Sequence, residues 1–103
     1  MSESKLFFEK TCDAYPEQYD IFLNSPSNQV GYLRLRNGVL RLDYKECGGE
    51  TIYSFKFNDK YKGCFSSDGE RLFFITVTVT LLLVFMETKG LRIKEDVLKY
   101  SII

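Results

Sequence analysis

Tyr32, Arg34, Arg36, Arg41 and Lys56 are the residues whose types and spacing best suit a chemical task. Arginine carries a planar, permanently charged fork that matches phosphate and carboxylate oxygens, and a neighbouring tyrosine can stack on a base or fill a pocket. Gathered on one surface, these five would make a partner-binding platform for an anionic surface. Lys60, Lys62 and Gly63 form a second candidate, a possible anion-binding loop, because they bring two ammonium groups and backbone donors to the start of a helix. That stretch lacks the Gly-x-x-x-x-Gly-Lys-Ser/Thr spacing of a P-loop, so a plain connection is its simpler reading.

Catalytic chemistry finds little to work with. The 103 residues contain no histidine, which removes Ser-His-Asp and Cys-His nucleophiles, imidazole general bases and the common transition-metal sites. Cys12, Cys47 and Cys64 are odd in number and show no Cys-x-x-Cys spacing, so they read as reduced intracellular thiols. Asp13, Glu17 and Asp20 cluster without a second acidic group or a metal-ligand spacing, and read as solubility and capping residues. The expectation is a protein that is not an enzyme, with no metal and no cofactor.

Composition bounds the class. With 14 basic and 14 acidic residues, net charge lends a polyanion partner no support, and only local patterning can. Hydrophobic residues at 45% and aromatics at 16% describe one globular domain over residues 1–103. The first ten residues are charged where a secretory signal would be apolar, so a cytoplasmic location is expected.

The elements that must position these residues centre on Gln29 to Phe57. Asn37-Gly38 lies between two alternating segments, and a two-residue turn there pairs Arg36 with Val39, Arg34 with Arg41 and Tyr32 with Asp43. A second two-residue turn at Gly48-Gly49 pairs Leu42 with Phe55 and Arg41 with Lys56. Both counts place Leu33, Leu35, Leu40, Leu42, Tyr53 and Phe55 on one face and the basic residues on the other. Gln18 to Asn24 adds a first strand, whose turn Ser25 to Asn28 sets Phe22 opposite Gly31. Residues 2 to 12 read as a short helix capped by Ser2 or Ser4.

Ser67-x-x-Glu70 is a capping box and Lys89-Gly90 a stop signal, which together predict a helix of about 21 residues. The β-branched run Ile75 to Thr80 argues for a shorter strand inside it, as the alternative. Leu72 to Met86 is apolar on every side, so one sheet cannot cover it, and Phe73, Val77, Leu81 and Val84 are the candidate association surface. Fifteen residues at about 1.5 Å reach about 22 Å, short of a bilayer core of roughly 30 Å, which weighs against a membrane span. Leu91, Ile93, Val97, Leu98, Ile102 and Ile103 are available to pack on this segment.

The expected fold is therefore α+β: a four-stranded antiparallel β-meander packed on one long apolar helix, with short terminal helical elements. The expected role is a small protein-interaction, inhibitory or regulatory module with a protein partner or a homodimer. A nucleic-acid-binding accessory protein using Arg34, Arg41 and Lys56 is the alternative.

Overall fold

The structure is a computed structural model that describes residues 5–12, 15–90 and 99–102, the last four in backbone only. The strands are β1 (Lys5–Lys10), β2 (Glu17–Leu23), β3 (Gln29–Arg36), β4 (Val39–Tyr44), β5 (Thr51–Lys56) and β6 (Lys99–Ile102), and the helix is α1 (Asp68–Thr88). They form a six-stranded sheet in the order β5-β4-β3-β2-β1-β6. Strands β1 to β5 run as an antiparallel meander, and β6 joins β1 in parallel. The architecture is α+β with the helix against the sheet, as the patterning predicts, but the meander has five strands rather than four.

The extra strand comes from the amino terminus. Lys5–Lys10 is β1 and not a short helix, because its period is two: Leu6 and Phe8 are fully buried while Phe7 and Glu9 point the other way. Pairing with β2 supplies hydrogen bonds that a helix so short could not supply for itself. At the other end, Lys99–Ile102 is a strand too. The packing expected of Leu91, Ile93, Val97, Leu98, Ile102 and Ile103 rests on side chains outside those described.

The Asn37-Gly38 turn holds the predicted register throughout. Gly38 sits at φ +75°, and a Cβ there would come 2.4 Å from the Asp59 carbonyl oxygen, so the turn needs glycine for its backbone and for the loop packed against it. The second turn differs. Lys45 takes a left-handed φ of 70°, Tyr44 donates its amide to Glu50, and a bulge falls between Leu42 and Asp43. The register slides by two residues, so that Leu42 faces Tyr53 and Arg41 faces Ser54 instead of Lys56. A shift of two keeps every side chain on its predicted face.

Between β2 and β3 the discrepancy is one residue. A bulge at Ile21/Phe22 sets Ile21, not Phe22, opposite Gly31. A Cβ on Gly31 would lie 3.2 Å from Ile21 Cδ1 and 3.3 Å from Leu82 Cδ2, so the glycine is where the helix approaches the sheet closely.

Residues 68 to 88 are helical throughout, which removes the alternative of a strand inside them. Ser67 Oγ accepts from the Glu70 amide at 3.0 Å, while the Glu70 carboxylate reaches back to the Ser66 amide, one residue upstream of an ideal capping box. The β-branched run is tolerated because tertiary burial outweighs propensity: Ile75, Thr78, Val79, Leu82 and Met86 all pack inward.

A buried acid locks α1 to β2. Glu17 shares the parity of Tyr19 and Ile21, so its side chain enters the core at 2% exposure. It accepts from Arg71 Nε at 2.7 Å, from Arg71 Nη2 at 3.2 Å, from the Phe65 amide at 3.0 Å and from the Tyr19 hydroxyl. Arg71 also reaches Asp68 at 2.6 Å. Burial pushes the Glu17 carboxyl upward, but the hydrogen bonds from Arg71, Tyr19 and Phe65, with the Arg71 charge, outweigh it and hold the group below its ordinary value. Glu17 is thus a core residue and not a solubility residue; Asp13 lies outside the described residues.

Leu42, fully buried on β4, will not tolerate charge: Leu42→Asp should unfold the domain, whereas Lys56→Glu on the exposed edge should change stability by no more than about 0.5 kcal/mol in thermal melts. Arg71→Ala strands a buried carboxylate and should cost about 3 kcal/mol in urea unfolding at neutral pH. Because Glu17 binds a proton less readily folded than unfolded, its contribution is complete above its ordinary value of 4.5 and disappears as pH falls through the lower folded value. Glu17→Gln should therefore be weaker at neutral pH and show a flatter loss of stability in acid.

Candidate functional site

One sheet face is covered by α1 and, among the described residues, no helix covers the other, which yields two surfaces of different character. The outer side of α1 is apolar. Phe73 is 62% exposed, Val84 57% and Leu72 55%, with Val77 and Leu81 half-buried between the exposed positions and the core. Two exposed threonines interrupt this strip in sequence but not in chemistry. Thr76 Oγ1 donates to the Leu72 carbonyl at 2.8 Å and Thr80 Oγ1 to the Thr76 carbonyl at 3.0 Å, so both hydroxyls turn back onto the helix.

The strip continues onto the sheet border through an aromatic cluster around Phe74. Phe74 lies 5.1 Å from Phe73, 5.2 Å from Phe55 and 5.3 Å from Phe57 between ring centroids, and stacks on Phe65 at 5.6 Å. Phe55 is 44% exposed although its parity is that of the core. It sits on β5, the border strand, where the helix covers only part of its ring. Of the four residues expected at this surface, Phe73 and Val84 are open and Val77 and Leu81 are partly covered. Leu72 and Phe55 join them, and only the tertiary arrangement exposes the second.

On the open face, Arg34 stands opposite Arg41, and Arg36 follows two residues along β3. Arg34, Arg36 and Arg41 line one shallow concavity with Asn37 and Val39. Tyr32 is buried at the centre of the face and donates its hydroxyl to Gln18 Oε1 at 3.1 Å, so it is part of the sheet's packing; burial pushes its phenol up. Lys56 faces Val39 and stands diagonal to Arg41, displaced by the register shift. Arg41 Nε lies 3.1 Å from Asp43 Oδ1. Asp43 is itself buried and accepts from the Gly48 amide at 3.1 Å and the Thr51 hydroxyl at 3.0 Å.

The Lys60–Gly63 loop has its polar groups engaged within the fold. Lys62 pairs with Glu70 at 3.0 Å and contacts the Ser66 hydroxyl, its carbonyl accepts from Gly38, and the Gly63 carbonyl accepts from Glu17. Glu70 is held below its ordinary value by the Ser66 amide and by Lys62. Lys60 lies over the Tyr61 ring at 5.2 Å. This loop carries the turn and the helix start.

Cys12, Cys47 and Cys64 are free thiols. Among the described residues no three His, Cys, Asp or Glu side chains gather as a metal site would require. By length and composition α1 could cross a membrane, and 33% of its most apolar window is buried in the fold. Its inner side is occupied by the sheet, with Ile75 and Leu82 fully buried. Compared with known protein families, curated proteins and solved structures, the chain matches none.

Proposed function

We propose that this chain is a small, non-catalytic protein-interaction module, of inhibitory or regulatory type, that docks through the outer face of α1. The observation that supports it is the contiguous apolar surface from Val84 through Phe73 to Phe55, in which even the threonine hydroxyls are turned inward. Monomeric proteins seldom leave such a patch in water, since covering it yields about 25 cal/mol per Å² of apolar area. A second copy of the chain is the occupant the surface favours. An uncharged strip exerts no electrostatic selection for a different partner, and a two-fold pairing of α1 with α1 buries the same residues on both sides.

Sedimentation equilibrium at low micromolar concentration tests this. The wild type should self-associate with a melting temperature that rises with protein concentration, and Val84→Lys should be a folded monomer whose melting temperature does not, because Val84 faces solvent. A wild type that stays monomeric and binds no apolar dye overturns the reading.

A further inference from the structure

The open face suggests a second, chemically distinct ligand. Arg34 and Arg36 make no ion pair among the described residues, and the Asp43 carboxylate beside Arg41 is also held by an amide and a hydroxyl. Three guanidinium groups therefore share one concavity that no described acidic side chain lines, with Asp43 paired to Arg41 at its border and Asp20 further along the same face. Like charges directly opposite one another, as Arg34 and Arg41 are, destabilise a sheet unless something neutralises them. The cluster thus has the charge of a site for an anion with several oxygens.

The concavity does not end there. Arg36 and Asn37 also line an adjoining depression whose other walls include Tyr15 and Tyr61. These two rings are 71% and 80% exposed. Lys60 lies over the Tyr61 ring and adds positive charge to the same border. A track of cations leading into exposed aromatic rings is the arrangement that follows a phosphate backbone while bases stack. An acidic peptide would use the arginines but leave both rings without planar partners. A duplex keeps its bases stacked internally, out of the rings' reach.

We infer that the end of the sheet at the β3–β4 turn binds single-stranded nucleic acid, with Arg34, Arg36 and Arg41 on phosphates and Tyr15 and Tyr61 stacking on bases. The overall charge is zero, so attraction is local and the complex should be strongly salt-dependent. This surface lies on the opposite side of the sheet from the outer face of α1, and the two readings stand or fall separately.

The test is fluorescence anisotropy of the full chain with a labelled oligothymidylate of about 12 nucleotides, a length within the range of small single-strand sites. Three phosphate contacts at a slope of about −0.7 each predict an affinity loss of roughly 20-fold between about 50 mM and about 200 mM salt. Arg36→Gln should weaken binding and reduce the slope by about 0.7. Tyr61→Ala should weaken binding about tenfold at an unchanged slope. Both positions are exposed, so both variants should melt as the wild type does, and Val84→Lys should bind as the wild type does. No binding at low salt, equal displacement by polyglutamate, or wild-type affinity in both variants would overturn the assignment.

Discussion

The Glu17 carboxylate is the constraint on which the arrangement depends. It sits in the core between β2 and the first turn of α1, where an isolated charge would be costly, and it is tolerated because Arg71, Tyr19 and the Phe65 amide converge on it. Convergence from a strand residue, a loop amide and a helical side chain leaves little freedom in where α1 begins. The Glu17 amide binds Gly63 and the Gly38 amide binds Lys62, so the loop that delivers α1 is held at both its sheet contacts. The helix start, the hairpin turn and β2 thus form one hydrogen-bonded unit at one end of the sheet.

From that anchor α1 crosses the sheet where Gly31 admits Leu82, and ends with Phe85 against Tyr44. Its stretch from Leu72 to Met86 is apolar apart from three threonines, while a sheet can bury only one side of a cylinder. Ile75, Val79, Leu82 and Met86 fill the inner side, and Leu72, Phe73 and Val84 are left in solvent. The exposed apolar strip is therefore a geometric result of laying a uniformly apolar helix on one sheet. Phe55 belongs to the same result, since β5 lies at the border and its ring, met by Phe57 and Phe74, stays partly exposed.

The opposite face follows the pleat. Every side chain that alternates with the leucines of β3 and β4 must point away from α1, and in this sequence those positions include Arg34, Arg36 and Arg41. Among the described residues Asp43 pairs with Arg41 and Asp20 stands opposite Tyr32 on the same face, and burial beneath the β4–β5 connection commits Asp43 to Gly48 and Thr51 as well as Arg41. Charge on this face is therefore concentrated although the chain as a whole is neutral.

How much of this was legible depends on how local the responsible interaction is. The Asn37-Gly38 hairpin, the division of β3, β4 and β5 into leucine and arginine faces, and both ends of α1 were set by residues within a few positions of one another, and period-two alternation and capping express them directly. The strand character of Leu6 to Phe8 and the inward direction of Glu17 were also present, as alternation, but a helix-capping serine and the usual solubility of acids pointed elsewhere. What only the tertiary structure decided is where non-local contacts choose among local options. The Asp43 carboxylate and the left-handed Lys45 slid β5 by two residues without changing its faces, and a bulge beside Gly31 replaced Phe22 by Ile21 under the helix. Glu17 became an anchor because Arg71, 54 positions away, folds onto it. Local alternation determines which way a side chain points, but whether anything lies there to cover or pair with it depends on contacts that no short stretch of sequence contains.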